Sequence, residues 1–227
     1  MQHDRTSEWF VPKIGPKNFR IGIGMLFLPY TAIVTCFALW GSLVTDFTLD
    51  RIVSIGIIYF LAVGVAAHFL DAVGGKTKPW GTLPKRKITS IAISSLVIVF
   101  TIGLYYAFLD SPLLFPIGII EGFFLFAYNL ELFGGKFHNN ISTIISWGIL
   151  PVFAGSAIQS NSISIETIIF SCISAGITYV LITTSRRYKE LKKDGIEISK
   201  IKNKENILKI ITLVVLSGTI LFFILRV

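Results

Sequence analysis

The chain has 227 residues, of which 53% are hydrophobic and 15% charged, with a mean hydropathy of +0.72. A water-soluble domain carries about 25% charged residues, so that class is excluded. The formal net charge is +8, but the basic residues lie between long apolar stretches and not on a polar module, which argues against a nucleic-acid partner.

In chain order, residues 1–20 form a polar arm with Pro12 and Pro16. The arm runs directly into a full-length apolar stretch, not into the short apolar core and small-residue cleavage site of a signal peptide, so the first span is expected to stay. The arm and a single transmembrane domain over 21–227 are the expected organisation. Apolar stretches follow at roughly 21–45, 52–73, 88–109, 113–132, 141–159, 163–184 and 207–225. About 20 apolar residues cross ~30 Å of hydrocarbon as a helix, and no stretch shows the strict alternation of a barrel strand. The expectation is an all-α, polytopic bundle of seven transmembrane helices.

All but two of the 21 Lys and Arg residues fall in the arm or in the segments at 74–87, 133–140 and 185–209, on one side of such a bundle. Arg51 and Arg226 lie on the other. The positive-inside rule then places the N-terminus in the cytoplasm and the C-terminus outside a cell membrane. Short connections at 46–51, 110–112 and 160–162 make hairpins of spans 1/2, 3/4 and 5/6. Cys36 and Cys172 sit within spans and read as packing residues, as does Trp147; Pro29 and Pro151 read as kinks.

Two polar clusters close spans at the basic side. The first is His68-Phe-Leu-Asp71, which runs into Gly74-Gly75-Lys76-Thr77-Lys78. His68 and Asp71 share a helix face at i, i+3, and the basic, glycine-containing turn behind them can hold an anion. The second is Tyr128-Asn129-Leu130-Glu131, followed by Gly134-Gly135-Lys136 and His138. If spans 2 and 4 pack together, His68, Asp71, Glu131 and His138 converge on one divalent cation. Two imidazoles and two carboxylates suit Zn, Fe or Mn, whereas carboxylates with phosphate oxygens suit Mg²⁺. A solvated or locally paired role is equally compatible with these residues. Glu121, about eight residues into span 4, needs a partner or a proton at that depth; with Tyr128 and Asn129 it is a candidate cavity residue.

This layout resembles the UbiA superfamily of intramembrane prenyltransferases. Ala66-Ala67-His68-Phe69-Leu70-Asp71 stands where that family closes span 2 with an Asp-rich motif, and Lys78-Pro79-Trp80-Gly81-Thr82 follows it. Tyr128-Asn129-Leu130-Glu131 stands in place of the Tyr motif of span 4, and the Trp147–Gly155 stretch resembles the Gly/Pro-containing fifth span. Thr183-Thr184-Ser185-Arg186-Arg187-Tyr188-Lys189-Glu190 falls where the second Asp-rich motif would be. The chain keeps one Asp of the first motif and none of the second, and has seven spans where the family usually has nine; a second subunit is one source of the missing wall. The resemblance implies an isoprenoid or other lipid partner and transfer of a prenyl (alkyl) group from a prenyl diphosphate. It implies Mg²⁺ as cofactor, Asp71, His68 and Glu131 as catalytic candidates, and Lys76, Lys78, Arg186 and Arg187 as phosphate-binding ones. Two other classes stay open: a metal-dependent membrane enzyme of another kind built on His68, Asp71, Glu131 and His138, and a non-catalytic lipid-binding membrane protein.

Overall fold

The chain folds as an all-helical bundle; the computed structural model describes residues 5–74, 80–195 and 198–227. Span 1 is α1 (Lys17–Met25) and α2 (Leu28–Leu43), and span 2 is α3 (Leu49–Tyr59), a π-helical segment (Phe60–Ala67) and α4 (His68–Gly74). Span 3 is α5 (Lys85–Leu109) and span 4 is α6 (Leu114–Asn129). Span 5 is α7 (Asn140–Thr143), a second π-helical segment (Ile144–Ile149) and α8 (Leu150–Ser160). Spans 6 and 7 are α9 (Ile165–Lys193) and α10 (Ile198–Arg226). Six of the seven have the length and apolar character to cross a bilayer; α6, at 16 residues, is shorter. The protein is therefore a multi-pass membrane protein. Outward faces such as Leu213, Val214 and Leu225 of span 7 remain exposed, as lipid-facing residues do.

The local chemistry explains the ends. Ser164 and Asn139 accept hydrogen bonds from the backbone N–H groups of Thr167 and Ser142, satisfying donors in the first turns of α9 and α7. Pro29 stands in the first turn of α2, just after Phe27 leaves the helix at φ 45°, so the break in span 1 falls before the proline and not at it. Pro151 opens α8 directly after the π-helical segment. A proline lacks the N–H for the i→i−4 bond, and the widened turn before it absorbs that loss. Span 4 was expected to reach residue 132 but ends at Asn129. Glu131 adopts a left-handed conformation, φ 49°, and its N–H reaches back to the Tyr128 carbonyl, so the chain turns off the helix there.

Span 1 is the axis of the packing. Its tightest neighbour is span 5, where Gly41 and Gly155 face the opposing backbones. A Cβ on Gly41 would lie 1.9 Å from the Val152 carbonyl oxygen, and one on Gly155 would lie 1.9 Å from that of Ala38. Small residues allow such approach, and they matter in a bilayer because apolar burial gives helices little reason to associate there. Ser42 Oγ donates to the Gly155 carbonyl at 2.9 Å across the same crossing. Trp40 Nε1 donates to Thr219 Oγ1 of span 7 at 2.7 Å, and Tyr30 donates to Ser185 Oγ of span 6 at 3.0 Å.

The interhelical hydrogen bonds also show which loops share an end. Arg51 binds Asp110 at 2.6 Å and the Ile158 carbonyl at 2.5 Å, Leu113 N–H binds Asn161, and Arg226 donates to the carbonyls of Leu43 and Thr45. The ends of spans 1–7 at residues 43–51, 110–113, 158–161 and 226 thus meet. Arg51 and Arg226, the two cations outside the basic side, are both employed here in satisfying carbonyls at helix C-termini. Asp110, in the loop, has its carboxyl held below the usual carboxylate range by the Arg51 guanidinium and the Ser111 hydroxyl.

At the basic end the arm is not a free tail. Glu8 is buried, accepts a hydrogen bond from Tyr188 at 2.9 Å and pairs with Lys192 at 3.0 Å. Arg20 donates to the carbonyls of Pro12 and Thr6, Val11 is buried, and Lys209 lies over the Trp9 ring. The arm is thereby docked across spans 1, 6 and 7.

Candidate functional site

Five segments converge under the docked arm. Gly74 lets the end of span 2 close on the end of span 4, for a Cβ there would lie 2.7 Å from Leu130 Cδ2 and 3.2 Å from the Asn129 carbonyl oxygen. That approach sets Asp71 and Glu131 on one hollow of about 190 Å³. The expected residues His68, Tyr128, Asn129 and His138 also line it. Span 1 adds Phe27 and Tyr30, span 5 adds Trp147, span 6 adds Ser185 and Lys189, and the arm adds Arg5.

The walls are aromatic and the charges balanced. His68 lies between Phe27 and Trp147, at centroid distances of 4.7 Å and 6.0 Å. Its Nδ1 is buried with no hydrogen-bond partner among the described residues. His138 stacks on Tyr128 at 4.1 Å and 18°. Arg5 stands over the Phe27 ring at 5.3 Å. Asp71 has Arg5, Lys189, His138 and Glu131 as its charged neighbours. The hollow therefore joins two basic side chains to two carboxyl groups, and an arriving phosphate can take charge-assisted hydrogen bonds from the basic pair.

The four residues expected to share one ion do line one hollow. However, no group of three or more His, Cys, Asp and Glu side chains among the described residues is gathered closely enough to hold a metal. The physical reason is visible at the rings: His68 is packed between two aromatics and His138 is stacked on Tyr128. Asp71 and Glu131 remain, a donor set that fits Mg²⁺ carried in with phosphate oxygens, since Mg²⁺ takes one or two carboxylates and completes its octahedron with phosphate and water.

The expected phosphate ligands divide. Arg186 interacts with Tyr128 but does not line the hollow. Arg187 is exposed and bound to Glu190 one turn along its own helix, at 3.1 Å. Lys76 and Lys78 lie outside the described residues. The cations that line the hollow, Arg5 and Lys189, were not singled out from the sequence. Lys189 carried a readable signal, because Ile182, Ser185 and Lys189 recur at intervals of 3 and 4 and all line the hollow. Arg5 carried none, since it arrives by folding of the arm.

Below the hollow a narrow cleft of about 60 Å³ runs between the two π-helical segments, past Ala62, Val63 and Ala67 on one side and Ser146 and Trp147 on the other. The cleft shares Tyr128, Asn129 and Trp147 with the hollow. Its far end is closed by Tyr59, whose hydroxyl donates to Glu121. The carboxyl expected to need a partner has one, on span 2.

The chain matches no family model, no curated protein and no solved structure.

Proposed function

We propose that this membrane protein binds the phosphate or diphosphate head of an isoprenoid or similar lipid in the hollow at its basic end, in the manner of a shortened UbiA-like protein. The observation that carries the proposal is the placement of Arg5 and Lys189, from opposite ends of the chain, on one hollow with Asp71 and Glu131. Phosphate oxygens take charge-assisted hydrogen bonds from the two cations. The first carbons of the chain rest against Trp147 and enter the cleft below it. Asp71 and Glu131 would hold Mg²⁺ against the same phosphates, and the ion would supply neutralisation of a departing diphosphate. On the positive-inside rule the hollow opens to the cytoplasm of a cell membrane, with the C-terminus outside.

The reading is tested on purified protein in nanodiscs with farnesyl diphosphate as probe, followed through tryptophan fluorescence and calorimetry. Arg5→Ala and Lys189→Ala should each weaken binding by about ten- to a hundredfold, the range of a lost charge-assisted hydrogen bond. Asp71→Ala should remove the Mg²⁺ dependence. Undiminished binding in the Arg5→Ala/Lys189→Ala double variant refutes the proposal.

A second reading, holding without transfer, is favoured by one feature. Where the family's second acidic motif would lie, span 6 offers Arg186, Arg187 and Lys189. Prenyl transfer to an added acceptor separates the two: turnover that Asp71→Ala abolishes supports an enzyme, and tight binding with no turnover supports a carrier.

A further inference from the structure

A second cavity, of about 360 Å³, lies within the membrane-spanning part on the far side of the Tyr59–Glu121 pair. It lies between spans 2, 3 and 4 and touches span 5 only at Ala154. Its size falls within the range of small-molecule sites. Every lining side chain is apolar except Tyr59 and Glu121. Tyr59 is spent on Glu121 Oε1; Glu121 Oε2 has no hydrogen-bond partner among the described residues, and the residue keeps accessible surface. A carboxyl oxygen left open in hydrocarbon is costly unless something completes it.

The cavity also communicates with lipid. Phe100, Leu104 and Ile119 line it and are at the same time exposed on the outer surface, Ile119 at 72%. The gap between spans 3 and 4 is kept open by glycines: a Cβ at Gly103 or Gly118 would meet nothing within 4 Å, and one at Gly122 only the Phe100 ring edge at 3.9 Å.

We propose that this cavity is a binding site for a neutral, membrane-dissolved alcohol that reaches it sideways between spans 3 and 4 and donates its hydroxyl hydrogen to Glu121. The chemistry selects the class. The walls accept a hydrocarbon body, the one open polar atom accepts a hydrogen bond, and a hydroxyl enters hydrocarbon at far lower cost than a charged amine. The site is separate from the phosphate hollow and stands or falls independently of it.

The test uses the full chain in nanodiscs with hexadecanol carrying a diazirine on its chain, and the methyl ether of the same probe. Photolysis followed by peptide mass spectrometry should place the label on cavity-lining residues of spans 3 and 4. The alcohol should label them about tenfold more than the ether, the ratio expected for a single hydrogen bond to a carboxyl. Gly122→Leu, which fills the cavity from a position with room for a side chain, should suppress labelling while an untouched far-UV spectrum confirms the fold. Equal labelling by alcohol and ether, label outside the cavity, or label unaffected by Gly122→Leu in a folded variant each overturns the proposal. The ether comparison is made on the unaltered protein, so the result does not depend on any variant folding.

Discussion

The crossing of spans 1 and 5 can be tested with a single methyl group. In Gly155→Ala the new Cβ would start 1.9 Å from the Ala38 carbonyl oxygen, whereas real Cβ contacts essentially never fall below 3.0 Å. The obstacle is backbone on both sides, so no side chain can swing away and the helices must part locally by about 1.1 Å. A gap of that size removes a large share of the dispersion between the facing surfaces. Overpacking of this kind costs about 1–3 kcal/mol. The Ser42–Gly155 hydrogen bond is stretched as well, and interhelical bonds in membranes average about 0.6 kcal/mol. The expected loss is thus about 2–4 kcal/mol. Reversible unfolding by sodium dodecyl sulfate in mixed micelles, read by tryptophan fluorescence, measures it. Gly41→Ala should behave alike, and the double variant should lose less than the sum, because one separation relieves both clashes. Gly176→Ala and Gly218→Ala are the controls: a Cβ at either meets nothing within 4 Å, so each should be neutral or gain up to about 1 kcal/mol from helix propensity. A Gly155→Ala protein within about 0.5 kcal/mol of the parent, or a Gly176→Ala protein as unstable as Gly155→Ala, would refute the reasoning. The same displacement reaches the hollow, since Tyr30 on span 1 and Trp147 on span 5 form adjoining wall at a ring separation of 6.4 Å; farnesyl diphosphate binding should weaken with stability.

Breaking the arm clamp with Lys192→Met removes the ion-pair partner of Glu8, whose side chain is 6% exposed, and leaves the Tyr188 hydrogen bond in place. Removal of one partner of a buried pair costs about 3–5 kcal/mol locally, and limited proteolysis should cut residues 5–16 much faster than in the parent. Tyr188→Phe keeps the ion pair and should give a smaller increase. At the opposite end, Asp110 is depressed in the folded state, so its contribution to stability is complete above the ordinary aspartate range near 3.9 and is lost as pH falls through the lower, folded value. The stability difference between the parent and Asp110→Asn should therefore stay constant from pH 7 to about 5 and vanish only below about 4, as unfolding curves at stepped pH will show. A reporter fused after Val227 should be inaccessible to cytoplasmic reagents, and a cytoplasmic signal would reverse the proposed orientation.

The span pattern was legible because membrane insertion is governed by local quantities. Seven apolar stretches and the asymmetry of Lys and Arg need no knowledge of tertiary contacts, and the arginine-based clasp at residues 51, 110 and 226 lies at the end where the charge asymmetry placed Arg51 and Arg226. Span ends were less legible. Span 4 stops at Asn129 because Glu131 takes a left-handed conformation, and a glutamate gives no hint of that. The π-helical segments were invisible for the same reason, since their sequences, FLAVGVAA and IISWGI, read as ordinary apolar helix.

The hollow divides along the same line. His68, Asp71, Tyr128, Asn129, Glu131 and His138 were found because each stands at the polar end of an apolar run, where an ionisable group has a cost that calls for a reason. Trp147 reads as packing, which is what an aromatic in a span usually does; it stands within the π-helical segment, with its ring 6.0 Å from His68. Arg5 is 63 residues from His68 in sequence and reaches the hollow through an arm whose docking rests on a buried Glu8 held by Tyr188 and Lys192. Such a contact is long-range and depends on the bundle already being formed. That dependence has a mechanistic consequence. The cation over the Phe27 ring belongs to the docked arm, so the charge of the hollow is coupled to whether the arm is docked. A phosphate-bearing ligand that engages Arg5 must then also stabilise the docked arm by mass action, and protection of residues 5–16 from protease by farnesyl diphosphate, lost in Arg5→Ala, is the signature to seek.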